Sequence, residues 1–136
     1  MQKSFYRVSI KALVIKDGRL LLVQEPDGRW ELPGGGIDIG ETTEKCLKRE
    51  LKEELGATIS KIDDRPLYVW QQETKKKGEI IERFFLGYPV ELKNEKFKIT
   101  TEAIAIGWFT KNELSRANLH INIKQIAKLF DPKDFK

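Results

Sequence analysis

The chain has 136 residues, of which 40% are hydrophobic and 34% charged, with a formal net charge of +4 at pH 7. This composition predicts one compact, globular domain over residues 1–136 rather than a disordered chain. No apolar run approaches the ~20 residues of a membrane-spanning helix, and the start lacks the apolar core of a secretion signal. We therefore expect a cytoplasmic protein with no membrane partner.

Cysteine usage and the basic charge limit the chemistry further. Cys46 is the only cysteine, which excludes an intrachain disulfide and a zinc site of paired cysteines, and we expect a buried structural thiol. The net positive charge favours an anionic partner. The densest basic run is Lys75, Lys76 and Lys77, and no aromatic side chain interrupts it. This run predicts a solvated hairpin tip and argues against a nucleic-acid surface, which needs stacking residues.

The first half of the chain predicts a hairpin, a short extended piece and a helix. Residues 8–26 form two strands joined by Asp17 and Gly18, a strong hairpin signal. Residues 30–33 (WELP) are extended because a proline restricts the residue before it. Thr42 or Thr43 can cap a helix that runs to about Leu55. Gly56 suits the left-handed exit of that helix.

The second half predicts strands followed by short helices. Residues 57–70 form a long strand or a strand pair, and residues 80–92 form another strand, with Pro89 near an edge or a bulge. A last strand over 103–109 leads to a capping box of Thr110 and Glu113. An amphipathic helix over 123–130 ends before the next proline. Because strands and helices alternate without a repeat or linker, the fold class is mixed α/β or α+β.

Three acids crowd one band of the first helix. At about 100° per residue, Leu47, Leu51 and Leu55 form the buried stripe, and the acids lie at its edge. Like charges at this spacing repel each other. A hard divalent cation such as Mg²⁺ would resolve the repulsion, since it prefers carboxylate oxygens. The alternative is an ordinary solvated Glu/Lys-rich surface. The acids concerned are Glu50, Glu53 and Glu54.

The residues before the helix favour the metal interpretation. Pro33 is followed by Gly34, Gly35 and Gly36, which let the backbone approach a ligand closely. Glu41 precedes Arg49 by eight residues, and an arginine can hold a carboxylate in a bidentate grip.

These positions together resemble the signature of the Nudix hydrolases. The signature is Gly, five residues, Glu, seven residues, then Arg-Glu-apolar-x-Glu-Glu-x-Gly-apolar. This sequence matches it at Gly35, Glu41, Arg49, Glu50, Leu51, Glu53, Glu54 and Gly56. Ala57 is the one departure, because the family usually has a larger aliphatic residue there, and we expect looser packing without loss of chemistry.

The resemblance implies an α/β/α sandwich around a mixed β-sheet, with residues 35–57 as the Nudix box. Members hydrolyse a nucleoside diphosphate linked to another group, with Mg²⁺ or with Mn²⁺ as a substitute. Glu41 and Arg49 would pair to hold the loop against the helix. Catalysis needs a carboxylate that takes a proton from water. The metal ligands would be Glu50, Glu53, Glu54 and the carbonyl of Gly34, and the candidates for the base are Glu50, Glu53 and Glu102.

Substrate recognition stays open at the level of sequence. Stacking by Trp30 and contacts from Arg29, Asn118 and Asn122 would suit a nucleotide, although core packing, solvation and helix capping explain these residues equally well. The short chain favours hydrolysis of nucleoside triphosphates of the MutT type, with ADP-ribose and dinucleoside polyphosphates as further candidates. The competing class is a non-catalytic module that binds a nucleotide or RNA as a sensor. Whether the protein is a monomer or a homodimer is open.

Overall fold

Helices lie on both faces of two β-sheets. The computed structural model describes residues 4–135. The strands are β1 (Ser4–Leu13), β2 (Ile15–Lys16), β3 (Arg19–Gln24), β4 (Trp30–Glu31), β5 (Gly34–Gly36), β6 (Ile59–Ile62), β7 (Tyr68–Lys76), β8 (Glu79–Leu92) and β9 (Ala105–Phe109). The helices are α1 (Thr43–Leu55), α2 (Lys111–Leu114) and α3 (Ile126–Leu129), with 3₁₀ turns at Ile121–Ile123 and Pro132–Asp134. Within the described residues, every helix is too short or too polar to cross a membrane.

The larger sheet is built around β8. Strand β1 pairs with β8 in parallel and carries β5 on its other side, antiparallel. The second edge of β8 is shared by β7 and β6, both antiparallel. The predicted hairpin tip is confirmed, since Lys77 and Gly78 have positive φ angles between β7 and β8 and the three lysines are exposed.

The smaller sheet is built around β3. Strand β9 pairs with one edge of β3, and β2 and β4 pair with the other. Asp17 and Gly18 have φ angles of 51° and 74° and close the turn between β2 and β3, which confirms the predicted hairpin. The first predicted strand is divided, because β1 ends at Leu13 in one sheet and β2 belongs to the other.

Alternating residues of β3 face two apolar clusters. Leu21 and Val23 pack with α1, whereas Leu20 and Leu22 pack with the C-terminal helices. The predicted stripe of α1 is confirmed, since its three leucines and Cys46 are 0% exposed. Burial raises the pKa of the Cys46 thiol to about 11, as expected for a structural cysteine. The predicted α/β/α arrangement around a mixed sheet is therefore confirmed.

The caps of α1 also agree with the sequence. The Thr42 hydroxyl accepts the N–H of Lys45, and Gly56 ends the helix with a φ angle of 64°. The capping box of Thr110 and Glu113 opens α2.

Of the two alternatives predicted for residues 57–70, the structure has two strands, β6 and the start of β7, and both pair with β8. Strand β9 begins two residues later than predicted, at Ala105. Pro89 lies in a central strand, so the edge was the wrong alternative, whereas the predicted nearby bulge agrees with the register shift between β6 and β8 opposite Glu91 and Leu92. Strand β8 accommodates this proline because its pairing partner changes there. It pairs with β7 as far as Gly87 and with β6 from Val90 onward.

The last predicted helix is broken. The 3₁₀ turn Ile121–Ile123 and the four-residue α3 replace a continuous helix over 123–130. The indole Nε1 of Trp70 donates to the carbonyl of Asn122 at 2.7 Å. In a continuous helix that carbonyl would accept the N–H of Ile126, whereas here it accepts a bond from β7.

Candidate active site

The glycine strand β5 lies directly against the acids of α1. A Cβ atom on Gly34 would collide with the backbone carbonyl of Ile10, and the φ angle of Gly34 is 128°, so only glycine fits. A Cβ atom on Gly35 would stand 2.6 Å from Oε1 of Glu50. The absence of a side chain at Gly34 lets β5 pack closely on β1, and its absence at Gly35 leaves room for the Glu50 carboxylate.

Arg49 joins the loop to the helix. Its Nε and Nη2 donate to the two carboxylate oxygens of Glu41 at 2.7 and 2.8 Å, and its Nη1 donates to Glu50 at 2.8 Å. A further bond from Nη2 reaches the carbonyl of Gly36 at 3.3 Å. Hydrogen bonding to Arg49 lowers the pKa of Glu41 to about 2. Arg49 thus fixes Glu50 relative to the glycine strand.

Glu54 occupies a different environment. Its Oε1 accepts the backbone N–H of Gly34 at 2.8 Å. Burial raises the pKa of Glu54 to about 8, while Lys11 and the Gly34 N–H act in the opposite direction. Because this carboxyl group is shielded from water, a nearby cation would strongly stabilise its charged form.

The acids of α1 meet a distant loop at one cavity. Thr100 connects the two, since its hydroxyl donates to the carbonyl of Glu54 at 3.2 Å and accepts the N–H of Glu102 at 3.2 Å. The cavity has a volume of about 410 Å³. Its acidic lining consists of Glu25, Glu31, Glu50, Glu54 and Glu102, with Gly34 beside them.

This lining fits a hard divalent cation. The side chains that face the cavity offer carboxylate oxygens, which Mg²⁺ and Mn²⁺ prefer. Glu53 does not line the cavity: its side chain is 52% exposed and lies 3.6 Å from Nη1 of Arg49. The structure therefore brings together Gly34, Glu50, Glu54 and Glu102, and places Glu53 at their outer edge.

A buried ion pair beside the cavity was missed in the sequence. Lys11 and Glu31 lie 3.5 Å apart, with side chains 6% and 8% exposed. The Nζ of Lys11 also donates to the carbonyl of Leu32 at 3.3 Å. A lysine inside the apolar run of β1 was the available signal, because an isolated charge is costly in a core strand.

Glu25 and His120 extend this polar group. Ligand atoms of Glu25, Glu31 and His120 all lie within 4.8 Å of one another. The Nδ1 of His120 accepts the backbone N–H of Asn122 at 3.0 Å. Burial, followed by the charge of Glu31, raises the pKa of Glu25. Oε1 of Glu25 and Oδ1 of Asn122 are buried acceptors without a partner among the described residues.

The four substrate-binding candidates are dispersed. Asn122 is closest to the acids, since its Nδ2 donates to Glu31 at 3.4 Å. Trp30 packs edge-on against Phe109, with ring centroids 4.9 Å apart. Arg29 pairs with Asp27 at 2.8 Å. Asn118 is exposed, and its carbonyl accepts the N–H of Trp30 at 2.8 Å.

Three known proteins illustrate the relationships of this chain. A MutT-like protein of Streptomyces ambofaciens is 32% identical over 112 residues, which cover 81% of this chain and 68% of that protein. Nucleoside triphosphatase NudI of Escherichia coli is 27% identical, over 90% of this chain and 95% of that protein. The crystal structure of a MutT NUDIX hydrolase from Burkholderia pseudomallei has a TM-score of 0.73 and 27% identity, and covers 97% of this chain and 99% of that one.

The fold, the carboxylates of α1 and these relatives define a hydrolase. A family model described as the NUDIX domain matches residues 5–130. The chain therefore belongs to the Nudix hydrolase family, as the spacing of its glycines and acids indicated.

Proposed function

We propose that this protein is a Mg²⁺-dependent pyrophosphohydrolase that cleaves a nucleoside diphosphate linked to another group, with nucleoside triphosphates as the preferred substrates. One observation carries the proposal: the carboxylates of Glu50, Glu54 and Glu102 converge with the Gly34 backbone on one cavity. The names of the relatives from Streptomyces ambofaciens and Escherichia coli support a nucleotide substrate.

Within this proposal, Glu50, Glu53 and Glu54 hold the cation, together with the carbonyl of Gly34. A bound Mg²⁺ would polarise a phosphoryl oxygen and lower the pKa of a coordinated water, and Mn²⁺ would substitute for it. Arg49 keeps Glu50 in place by its 2.8 Å bond, and Glu41 keeps Arg49 in place by the bidentate pair. Their role is to preserve the geometry of the ligands.

The proton of the attacking water needs a carboxylate acceptor. Glu50 and Glu53 are candidates on α1, and Glu102 is a candidate on the opposite wall. Oε1 of Glu50 already accepts a bond from Arg49. Glu102 is exposed, and its loop is held to the end of α1 through Thr100. This geometry favours Glu102 as the base that reaches into the cavity from a separate element.

A substrate panel tests the proposal. It contains ribo- and deoxyribonucleoside triphosphates, ADP-ribose and a dinucleoside polyphosphate, each assayed with Mg²⁺, with Mn²⁺ and with EDTA. We expect turnover of a triphosphate with either metal and none with EDTA. Release of pyrophosphate rather than phosphate identifies the bond that is cleaved.

Three other results would contradict the proposal in whole or in part. Full turnover in EDTA would exclude a metal-dependent reaction. Tight nucleotide binding without turnover of any compound in the panel would instead identify a non-catalytic sensor. Preferred turnover of ADP-ribose or of the dinucleoside polyphosphate would reject the triphosphate preference and keep the enzyme class.

A further inference from the structure

The loop between β8 and β9 bonds to the end of helix α1. The last carbonyl groups of a helix have no partner within it, so other groups must satisfy them. The carbonyl of Leu55 accepts the backbone N–H of Lys98 at 2.8 Å, and the carbonyl of Glu54 accepts the hydroxyl of Thr100 at 3.2 Å. The loop therefore caps the same helix that carries the candidate metal ligands.

The hydroxyl of Thr100 uses its full hydrogen-bonding capacity. A hydroxyl group has one donor and two acceptor positions. Besides its bond to Glu54, the oxygen accepts the backbone N–H groups of Glu102 at 3.2 Å and of Ala103 at 3.1 Å. The N–H of Thr100 donates to the carbonyl of Ala103 at 3.2 Å and closes the turn. One oxygen atom thus joins the backbone of Glu54 to the backbone of Glu102.

The other end of this turn is anchored in the protein interior. Ala103 is 0% exposed and belongs to the apolar cluster that contains the buried leucines of α1. The next residue, Ile104, donates its N–H to the carbonyl of Gln24 at 2.9 Å. Between these anchors, Thr101 and Glu102 line the cavity. The turn therefore holds Glu102 at the cavity from both sides.

Charge repulsion makes this attachment important. The cavity that Glu102 lines also contains the carboxylates of Glu50 and Glu54, and like charges repel each other. Within residues 4–135, the bond that fixes Glu102 runs through its backbone N–H and not through its carboxylate. Loss of the Thr100 hydroxyl would remove the bridge to α1 and two bonds inside the turn. The Glu102 carboxylate would then move away from the other acids.

We infer that Thr100 is a positioning residue that sets the distance between the metal ligands of α1 and the base Glu102. The inference rests on the proposed function and adds to it the residue that couples its two parts. Thr100 acts through Glu102 and takes no part in the chemical step.

The kinetic test compares two substitutions of Thr100. Thr100→Val keeps the shape of the side chain and removes the hydroxyl, whereas Thr100→Ser keeps the hydroxyl. A displacement of about 1 Å can cost about a hundredfold in rate, so we expect kcat for the best triphosphate to fall by about tenfold or more in Thr100→Val. KM should stay close to wild type, because Glu102 acts only in the chemical step. Thr100→Ser should keep the kcat of wild type.

Thr58→Val is the control for these variants. It makes the same change at an exposed position outside the turn and should keep the kcat of wild type. An unchanged kcat in Thr100→Val would overturn the inference. An equal loss of kcat in Thr100→Ser or in Thr58→Val would also overturn it, because the effect would not depend on this hydroxyl.

A double variant shows whether Thr100 acts through Glu102. Glu102→Gln alone should lower kcat by about a hundredfold or more, the contribution expected of a general base. Addition of Thr100→Val to this variant should lower kcat no further, because residues that act through one group are not additive. A further tenfold loss would assign Thr100 a role apart from the base and overturn the inference. An unchanged kcat in Glu102→Gln would overturn it as well.

A measurement without metal or substrate examines the turn itself. The heteronuclear NOE of the Glu102 and Ala103 amides is recorded by NMR in EDTA, where a lower value reports a more mobile backbone. We expect lower values in Thr100→Val and unchanged values in Thr100→Ser and Thr58→Val. Unchanged values in Thr100→Val would contradict the inference. Thr100→Ala repeats each measurement if Thr100→Val does not fold.

The two proposals can fail separately. Absence of turnover in wild type would reject the proposed function, and the positioning role of Thr100 with it. Metal-dependent turnover in wild type, with the same kcat in Thr100→Val, would reject the inference alone and keep the enzyme function.

Discussion

Glu54 combines features that neither a core residue nor a surface acid has. Its carboxylate accepts the Gly34 N–H at 2.8 Å, and burial raises its pKa to about 8. Without a cation, the charged form is therefore disfavoured near neutral pH. Glu44, on the same helix, is exposed to solvent and forms an ion pair with Lys48 at 2.8 Å.

The first prediction compares these two acids. Glu54→Gln replaces a proposed ligand of the cation with a neutral amide, so we expect turnover with Mg²⁺ to fall by about a hundredfold or more, since a metal supplies several kcal/mol of charge stabilisation. The melting temperature in EDTA should stay close to that of wild type near neutral pH, because the raised pKa already leaves Glu54 largely uncharged there. Glu44→Gln should leave turnover nearly unchanged. If both variants turn over substrate equally, Glu54 does not hold the cation.

A second prediction at the residue scale concerns acid stability. Arg49 lowers the pKa of Glu41 to about 2, below its ordinary value of 4.5. The ionised form is thus favoured in the folded state, and this stabilisation is present above pH 4.5 and lost as the pH falls toward 2. Thermal melts from pH 7 to pH 2 should show Glu41→Gln less stable than wild type at pH 7 and converging with it at the acid end.

Glu91→Gln is the control for this pH series. Glu91 is exposed and forms no ion pair within residues 4–135. Its melting curve should follow wild type at every pH. A constant difference between Glu41→Gln and wild type across the whole range would mean that the pair with Arg49 does not control acid stability.

At the scale of elements, strand β5 and helix α1 depend on each other. Neither Gly34 nor Gly35 has room for a side chain. The Glu50 carboxylate fills the space beside Gly35, and the Glu54 carboxylate accepts the N–H of Gly34. Arg49 of α1 also donates to Glu41, which lies in the loop between β5 and α1, and so helps to hold the strand against the helix. A short strand and a helix thereby act as one rigid unit, which suits a site that needs fixed ligand positions.

The third prediction tests this unit with Gly35→Ala. The new Cβ atom would stand 2.6 Å from Oε1 of Glu50 and displace the carboxylate. A displacement of about 1 Å can cost about a hundredfold in rate, so we expect a loss of that order in kcat. Gly78→Ala is the matched control, since its Cβ would meet nothing within 4 Å at the hairpin tip. This control should lose about 1 kcal/mol of stability from its positive φ angle and keep its turnover. Equal turnover in the two variants would contradict the close packing of β5 on α1.

At the scale of the whole molecule, the cavity joins parts that are distant in sequence. Glu25 follows β3, Glu31 lies in β4, Glu54 lies in α1, and Glu102 lies in the loop before β9. Lys11 and Arg49 pair with Glu31 and Glu50, yet five acids around about 410 Å³ still crowd like charges that a bound cation would offset. Metal binding and global stability should therefore be coupled.

The fourth prediction measures this coupling. A ligand that binds only the folded state adds about 2.7 kcal/mol of stability at 100 times its Kd. Saturating Mg²⁺ should therefore raise the melting temperature of wild type by several degrees relative to NaCl at matched ionic strength. The double variant Glu50→Gln with Glu54→Gln should show no Mg²⁺-specific rise. An equal rise in both proteins would place the cation elsewhere.

The sequence alone determined the family, helix α1 with both caps, its buried leucine stripe and the Asp17–Gly18 hairpin. These features depend on neighbours a few residues apart, so spacing and residue type specify them. It also placed Gly34, Glu50 and Glu54 together, because one loop and one helix carry all three.

Only the tertiary structure decided the rest of the site. The contacts of Lys11 and Thr100 bring Glu31 and Glu102 to the acids of α1. The indole of Trp70 bonds to the Asn122 carbonyl at the start of a segment that local periodicity predicts as one continuous helix. Each of these contacts joins segments far apart in the chain, and strand register and packing determine such contacts, which local residue patterns do not contain.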